Sequence, residues 1–418
     1  MNIPCIKCKG ATPLQSCGRT FCPIIAKAEA LFKAKEKLPG EDFFGSSYSV
    51  FVGRHDYPNV NVGILSPPQQ LEDSWLHDAP IYWADQNFQI QQIIDLRGSL
   101  INSRFKSNIL DARKNNKFLE IGQELSMASK PANIEVNLDQ KPKFRLNTDA
   151  YTLPMGPNAT LRKLELTENP KIPLKIDKVV SDTDLRANEG LNILYSKSVD
   201  ENILTKLLSI GNLGLKKDRK LVPTRHAITA VDDNIGKELI NQIRQYNETD
   251  YLAFFGGYLG NNFLTLFFPE VWSYELFEMY LPKSSWNVSS EMQYTTDYEP
   301  YDGRKTYAES CGGGYYASRL PILEKLSKLK KQASVLVLRF IDGSYWCPLG
   351  VWVVRSAVRK AISSKPLEFS SRELMIEYAK KLIKRKYNYD ITPILNRSIL
   401  LRNVKCQSKL IKFINPHT

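Results

Sequence analysis

The chain has 418 residues, of which 43% are hydrophobic and 24% are charged, the balance of an ordinary globular protein. This length predicts two or three domains with sizeable cores. No run approaches the ~18 apolar residues of a membrane helix, and no fixed-period repeat is present, so we expect neither a membrane protein nor a solenoid.

Basic residues outnumber acidic residues by 57 to 44, which gives a net charge of +13. A cationic surface gains free energy by releasing counterions from a phosphate backbone, so this excess favours a polyanionic partner. The alternative is a charge that serves only solubility. The first residues lack the apolar core of a signal peptide, and we expect a cytosolic protein.

Four of the seven cysteines lie within the first 22 residues. Cys5 and Cys8 form a CxxC knuckle, and Cys17 and Cys22 supply a second pair four residues apart. In a reducing compartment this clustering indicates metal binding, and four thiolates match the tetrahedral preference of zinc. The alternative is a set of unliganded thiols. We expect a zinc site, because so short a segment has no other way to fold.

The first part of the chain predicts one helix and then strands. Residues 24–37 have helical periodicity and end before Pro39-Gly40. Apolar and polar residues alternate over residues 47–65, which indicates two strands joined by a turn around Tyr57-Pro58-Asn59. Residues 128–176 are rich in Pro, Asn and charge and predict strands with long loops.

The middle of the chain predicts a helix, a strand and a second helix. Asp200 is suited to cap a helix that Gly211 would end. Residues 227–231 predict a strand, after which Asp233 caps a helix that runs through Ile243. Further on, residues 251–268 predict two strands around Gly256-Gly257.

The last third combines a loop, a hairpin and a helix. Residues 282–304 have little periodicity and mark a domain boundary or a long functional loop. Asp342-Gly343 lies between apolar runs and predicts a hairpin, with a helix after it. Ser370 and Glu373 form a capping box at the start of another helix.

After Asp390 the chain contains no acidic residue, and we expect a mobile basic tail. Within it, residues 407–414 follow the pattern glutamine, two residues, aliphatic, two residues, aromatic, hydrophobic. Leu410, Phe413 and Ile414 would lie on one side of a tight helical turn and fill an apolar pocket, while Gln407 hydrogen-bonds at its edge.

This segment resembles the sliding-clamp (PCNA) interaction motif. Its place near the end of the sequence favours docking, since a terminal peptide is free to bind. Ile414 stands where a second aromatic residue is usual, which predicts a weaker contact. The alternative is a terminal helix packed on the body of the protein.

Taken together, the chain resembles the archaeal Nre family of DNA-repair proteins, in its clamp-binding NreA branch. The resemblance is carried by Cys5 to Cys22, Phe51-Val52-Gly53-Arg54, Tyr57-Pro58, Val62-Gly63, Pro223 to Thr229, Asp232-Asp233, Gly256-Gly257-Tyr258, Pro269-Glu270, Gly312 to Tyr316 and the tail. These residues span essentially the whole chain. The resemblance implies an archaeal cytoplasmic protein that acts in DNA-damage repair beside the clamp and the chromosome, and it supplies no catalytic residue set.

Ionisable residues around the predicted strand 227–231 are candidates for nucleotide or nucleic-acid binding. Arg225 and His226 precede it, Asp232 and Asp233 follow it, and Arg54 ends an earlier strand. Such groups could clamp an anion and shuttle a proton. The alternative is that Asp233 only caps a helix and Arg225 pairs with Asp232.

A second candidate is Gly312-Gly313-Gly314, which precedes a helix predicted to begin near Ala317. Glycine permits close approach of the backbone, and a helix N-terminus offers amides to an anion. Arg319 would lie in the first turn, and Tyr315 could stack on a base. The alternative is a flexible hinge before the helix.

We therefore predict an α+β protein of mixed sheets and packed helices. Its parts are a zinc module at residues 1–24, a main domain at 25–290, a C-terminal domain at 291–396 and a basic tail at 397–418. The expected function is clamp-recruited DNA repair, with zinc as the metal and DNA as a further partner. The alternative is an RNA-binding or RNA-modifying zinc protein, and the sequence does not decide between an enzyme and a binding adaptor.

Overall fold

The structure is a computed structural model that describes residues 8–12, 15–16, 22–36, 40–114, 116–142, 153, 155–282, 284–287 and 289–406. The chain forms two compact units. Unit 1 comprises Met1–Ile235 with Trp346–Trp352, and unit 2 comprises Gly236–Tyr345 with Val353–Thr418. Each unit contains a mixed six-stranded sheet with packed helices, so the predicted α+β class is confirmed. The division into compact units falls after residue 235.

The sheet of unit 1 has the order β1-β5-β6-β4-β3-β2, and only the β4–β6 pair is parallel. Its strands are β1 Asp42–Ser47, β2 Ser49–Val52, β3 Asn59–Ser66, β4 Ile101–Asn108, β5 Ala132–Leu138 and β6 Asn158–Leu166. Alternate residues of a strand share a face, and in β5 Ile134, Val136 and Leu138 are fully buried by this alternation. These side chains join Val62 and Ile64 of β3 in one core.

Eight α-helices begin within the described residues of unit 1. They are α1 Pro23–Glu36, α2 Pro80–Asp85, α3 Ile90–Gly98, α4 Lys117–Met127, α5 Leu174–Ser181, α6 Ala187–Ser196, α7 Glu201–Ser209 and α8 Thr224–Ile243, which continues into unit 2. Of the helices within the described ranges, none is both long enough and apolar enough to span a membrane.

The sheet of unit 2 has the order β10-β9-β11-β8-β7-β12, with β9 and β11 parallel. Its strands are β7 Tyr251–Tyr258, β8 Asn261–Phe268, β9 Ser273–Tyr280, β10 Gln293–Glu299, β11 Ser334–Ile341 and β12 Leu367–Phe369. Because β9 and β11 are buried on both faces, they form a near-continuous run of buried residues.

Helices cover both faces of this second sheet. They are α9 Gly313–Leu329, α10 Trp352–Ser363, α11 Arg372–Tyr387, α12 Thr392–Arg397 and α13 Ile399–Cys406. On one face Ser318 of α9 hydrogen-bonds Tyr274 of β9 at 2.7 Å. On the other face Met375, Ala379 and Leu400 pack on strand residues of the opposite alternation. We call these the α9 face and the α11–α13 face.

Several predicted elements are confirmed. The first helix spans Pro23–Glu36, and two antiparallel strands flank the turn at Tyr57-Pro58-Asn59. Asp200 caps α7, and its carboxylate accepts hydrogen bonds from the amides of Asn202 and Ile203. Cap chemistry is local, so a single sequence is enough to locate it.

The strand predicted at residues 227–231 is wrong, because this segment lies within the 20-residue helix α8. Ala227, Val231 and Ile235 are buried at a spacing of four, which is the repeat of a helix face. Asp233 therefore lies mid-helix, and its predicted role as a cap is also wrong.

The predicted turn at Gly256-Gly257 is wrong. The chain turns at Leu259-Gly260, where both residues have positive φ, as a two-residue hairpin of type I′ requires. Gly256 lies inside β7. The position requires glycine because a Cβ there would come 2.8 Å from the Cα of Ala361 in α10. The glycine signal reflects close packing of a helix on the strand.

The hairpin predicted around Asp342-Gly343 has only its first strand, β11. The Asp342 side chain instead accepts a hydrogen bond from the Ser344 amide at 2.8 Å, in a local turn. Pro348 and Gly350 follow, and neither favours a strand. The segment 282–304 contains β10, which pairs with β9, so it is not a loop throughout.

The C-terminal end is more ordered than predicted. Ser371, not Ser370, caps α11, and its hydroxyl accepts a hydrogen bond from the Leu374 amide. The predicted tail at 397–418 begins too early, because Ile399–Cys406 forms α13 and Leu400 is fully buried. Residues 407–418 lie outside the described residues.

Glu275→Ala tests what holds α13 in place. The carboxylate of Glu275 accepts hydrogen bonds from the Ser398 hydroxyl and from the amides of Ile399 and Leu400, the two amides at 3.0 Å. We expect the variant to lose roughly 2–3 kcal/mol of unfolding free energy. Hydrogen exchange should then accelerate selectively in α13.

The matched control is Glu377→Ala on α11, where the carboxylate is 55% exposed and lies 3.6 Å from Lys381. An exposed pair of this kind contributes about 0.3–0.5 kcal/mol, so exchange in α13 should be unchanged. Equal exchange rates in α13 for both variants would show that Glu275 does not anchor this helix.

Candidate functional site

Three buried carboxylates converge on the α9 face of unit 2. Glu278 of β9 lies opposite Arg339 of β11 in the strand register, and alternate residues of β10 place Asp297 and Glu299 on the same face. All three carboxylates are almost inaccessible to water. A buried charge is tolerated only when it is paired and hydrogen-bonded, so their partners decide whether this is a reactive site.

Glu299 is fully occupied by partners. Arg319 donates to its Oε2 at 2.5 Å and Tyr315 donates to the same oxygen at 3.1 Å, while Trp272 Nε1 donates to Oε1 at 3.0 Å. Arg319 and Glu299 are 1% and 0% exposed. The guanidinium predicted to receive an external anion is therefore neutralised inside the protein, in the second turn of α9.

The three glycines form the start of α9, which begins at Gly313 and not near Ala317. A Cβ on Gly314 would come 2.3 Å from Oε1 of Glu278, so the first turn of the helix lies directly on this carboxylate. Glu278 is itself paired with Arg339. The positive end of the helix dipole thus meets an anion that the protein supplies.

Tyr315 and Cys311 are also internal. Tyr315 is 0% exposed, so its ring offers no face on which a base could stack. The amide of Cys311 donates to Asp297 at 2.8 Å, and burial raises the pKa of the Cys311 thiol. Asp297 pairs with Arg304 at 3.1 Å. This cluster stabilises the fold, and the predicted anion site at Gly312–Gly314 is not supported.

The predicted residues of unit 1 separate into two groups. The Thr224 hydroxyl accepts a hydrogen bond from the Val52 amide at 2.9 Å, which ties the end of β2 to the start of α8. Arg54, Arg225 and His226 follow these two positions closely in sequence and are exposed. They remain candidates for contact with an anion.

Asp232 and Asp233 lie about two turns further along α8, roughly 10 Å from Arg225 along the axis. Asp232 is 1% exposed. The alternative prediction of a pair between Arg225 and Asp232 does not fit this spacing. Arg54 and Arg225 belong to unit 1 and Gly313 to unit 2, so the predicted single cleft stays a prediction.

Sequence reasoning missed a cleft of about 620 Å³ in unit 1, which has both apolar and polar lining residues. Tyr48 and Trp75 contribute aromatic walls, and the Tyr48 hydroxyl donates to the carbonyl of Trp75 at 3.1 Å. Ser46, Asn133 and Glu168 supply polar groups. No local pattern could have revealed it, because its walls come from separate segments spread over residues 46 to 168.

Asp78 lies next to Tyr48 of this cleft in a partly buried charge cluster. Burial opposes its ionisation, but the charges of Lys206 and Arg97 and a hydrogen bond from Ser49 outweigh that effect and lower the pKa of Asp78. Ser49 donates at 2.6 Å, and the ammonium of Lys206 lies 3.9 Å from the centre of the Tyr48 ring. These contacts fix the wall of the cleft.

At the N-terminus, Cys8 and Cys22 are described, and Cys5 and Cys17 lie outside the described residues. Hydrogen bonds from the Ser16 side chain and the Thr12 amide lower the pKa of Cys8 to about 7. Stabilised thiolates are the form that ligates zinc, so Cys8 fits the predicted site. Within the described part of the chain, no three His, Cys, Asp or Glu residues cluster as a metal site.

At the C-terminus, α13 leads to the clamp-like segment. Glu275 anchors the start of this helix, and Asn403 donates to the Tyr298 hydroxyl at 3.0 Å. Burial raises the pKa of Glu275, and its three hydrogen bonds oppose that shift. Gln407, the first residue of the segment, directly follows the last residue of α13. Gln407, Leu410, Phe413 and Ile414 lie outside the described residues.

Comparisons with known proteins cover nearly the whole chain. The family model described as Archaeal Nre, N-terminal, matches residues 16–287, and the model described as Archaeal Nre, C-terminal, matches residues 299–413. The gap between the two matches contains the domain boundary predicted at residue 290. No solved structure matches the chain.

Three relatives are similar over most of their length. A protein named DNA repair protein NreB from Archaeoglobus fulgidus is 35% identical over 96% of this chain and 97% of its own. Proteins named DNA repair protein NreA from Haloferax volcanii and Archaeoglobus fulgidus are each 36% identical. They align over 79% and 92% of this chain, and over 80% and 95% of their own lengths.

Proposed function

This chain belongs to the archaeal Nre family, and on that premise we propose that it is a DNA-repair factor recruited to the sliding clamp (PCNA) by residues 407–414. The relatives named above are called DNA repair proteins, which supports the repair role. The observation that carries the recruitment is the position of the segment, which starts immediately after a helix anchored by Glu275.

Glu275 holds the start of α13, and Gln407 follows the last described residue of this helix in the sequence. Leu410, Phe413 and Ile414 supply three apolar side chains at the spacing of one helical turn. A short peptide of this kind loses conformational entropy when it binds, and this loss lowers its affinity. We therefore expect a dissociation constant in the micromolar range, on the order of −8 kcal/mol.

The zinc module is part of the proposal. Cys5, Cys8, Cys17 and Cys22 would hold one zinc ion, which would organise the first 24 residues. Lys7, Lys9 and Arg19 lie between these cysteines and could contact phosphate. The ion has a structural role in this proposal, because all four ligand positions are filled by thiolates.

The competing proposal is an RNA-binding or RNA-modifying zinc protein whose last residues pack on the body. It predicts that removing residues 407–414 leaves partner binding unchanged and that RNA is bound more tightly than DNA. Whether the protein is an enzyme or an adaptor is a separate question. On the α9 face Glu299 pairs with Arg319 and Glu278 pairs with Arg339. Carboxylates that are paired inside the fold are not offered to a substrate, which favours an adaptor.

Phe413→Ala tests clamp recruitment. Truncating an anchor of a peptide interface costs about 1–3 kcal/mol, which weakens a micromolar affinity by roughly 5- to 150-fold. Titration calorimetry of the intact chain and of a peptide of residues 403–418 against the clamp measures the effect. Ile411→Ala is the matched control, because Ile411 is apolar but lies between the anchor positions.

Ile411→Ala should bind the clamp as the unsubstituted chain does, and both variants should keep the same melting temperature. Unchanged clamp affinity in Phe413→Ala, or no binding by the intact chain, would show that the segment is an ordinary terminus.

Metal analysis tests the zinc module. The purified protein should contain about one zinc per chain, and Cys8→Ser should lower that content. Cys406→Ser is the control, since Cys406 is exposed at the end of α13 and is not a member of the ligand set. A metal-free protein whose N-terminal amides are protected from exchange would exclude the site.

The finer proposal of anion binding now rests on Arg54, Arg225 and His226. Arg225 and His226 are exposed in the first turn of α8, and Arg54 follows Val52, whose amide hydrogen-bonds Thr224 at the start of that helix. The positive end of the helix dipole favours a phosphate there. Replacing Arg54 and Arg225 together with Gln should weaken nucleotide binding by roughly tenfold or more. Equilibrium dialysis with a labelled nucleoside triphosphate measures it, with Lys216→Gln/Lys217→Gln as the control. No nucleotide binding by the unsubstituted protein would reject this site.

A further inference from the structure

The helices on the α11–α13 face of unit 2 carry a concentrated positive charge. Residues 372–406 contain nine Lys or Arg and three Asp or Glu, so 35 residues contribute +6 of the net charge of +13. The excess noted from composition is therefore not spread evenly, and about half of it lies on three consecutive helices.

Most of these cations are open to a partner. Lys384, Arg385, Lys386, Arg402 and Lys405 are exposed, and none has a carboxylate within ion-pair distance among the residues the structure describes. Unpaired cations on a surface repel one another, so their concentration costs stability unless a polyanion neutralises them. This cost points to a ligand.

The helices hold these charges in a fixed arrangement. Helix α11 lies over β7 and β8, and α13 lies over β9 and β11 of the same sheet. Met375, Ala379, Ile383 and Leu400 bury the apolar sides against the sheet, which leaves the basic sides facing outward. On α11, Lys381, Lys384 and Arg385 are spaced i, i+3 and i+4 and therefore lie on one side of the helix.

We propose that this basic helical face, formed by Lys381, Lys384, Arg385, Lys386, Arg397, Arg402 and Lys405, binds the phosphate backbone of duplex DNA. The inference rests on the proposed function, because Lys405 lies two residues before the clamp segment begins. A sliding clamp encircles duplex DNA. A chain held by residues 407–414 therefore brings this face to the duplex that leaves the clamp.

The chemistry of the face favours a duplex over other polyanions. Single-strand binding uses exposed aromatic rings as stacking platforms, whereas Tyr378, Tyr387 and Tyr389 on this face are half-buried. An amphipathic helix that inserts into an anionic membrane uses an exposed apolar side, whereas here that side is packed against the sheet. Contacts limited to phosphates predict binding without sequence preference.

The test replaces three exposed, unpaired cations by Gln in the intact chain: Lys384→Gln, Arg385→Gln and Lys405→Gln together. The matched control replaces Lys305, Lys328 and Lys330, three exposed lysines of unit 2 outside the basic helical face. Both variants lose the same net charge. Fluorescence anisotropy of a labelled duplex is measured without the clamp at several salt concentrations, and thermal unfolding checks that both variants fold.

The basic-face variant should lose affinity on the order of tenfold, and the slope of log K against log salt should fall by about 2–3. The control should stay within about twofold. Equal losses in both variants, or unchanged affinity in the first, would overturn the proposal. Stronger binding to double-stranded RNA or to vesicles of anionic lipid than to duplex DNA would overturn it as well.

Clamp binding is measured separately in the same proteins without DNA. Loss of clamp binding in the unsubstituted chain would reject the recruitment by residues 407–414, while a DNA effect confined to the basic-face variant would still support this face. Intact clamp binding with no difference between the two variants on DNA would reject the basic face alone.

Discussion

The buried carboxylate of Glu275 is the interaction on which the proposed arrangement of this protein depends. Burying a carboxylate is costly unless its oxygens are hydrogen-bonded, and here the donors come from the start of the last described helix. The hydrogen bonds of Glu275 therefore join the sheet of unit 2 to α13, and in this buried position water cannot take their place. Through these bonds, α13 and its cations are held against the sheet, and the proposed clamp segment follows this helix in the sequence.

The two faces of the unit 2 sheet use charge in opposite ways. On the α9 face, Arg319 and Arg339 are buried and paired with Glu299 and Glu278, so the charges act inside the fold. Removing one member of such a pair leaves an uncompensated buried charge, which typically costs about 3–5 kcal/mol. On the α11–α13 face most cations are exposed, and Lys384, Arg385 and Lys405 have no carboxylate within ion-pair distance among the described residues. The second face is therefore the one suited to a polyanionic ligand.

The sequence was informative where the signal is local and misleading where it depends on distant partners. The cap at Asp200 can be identified from a few neighbouring residues, and its hydrogen bonds confirm it. The pairing of Arg319 with Glu299 joins positions 20 residues apart, and that of Arg339 with Glu278 joins positions 61 apart. Nothing near Arg319 in the sequence reveals that it is buried, which is why it was expected to bind an external anion.

The central claim is that one protein engages the clamp through residues 407–414 and the duplex through the adjacent basic face. The most direct measurement compares the affinity of the intact chain for the free clamp with its affinity for the clamp loaded on duplex DNA. Two linked contacts predict tighter binding to the loaded clamp by about 10²-fold or more at low salt. Equal affinity for the free and the loaded clamp would contradict the account.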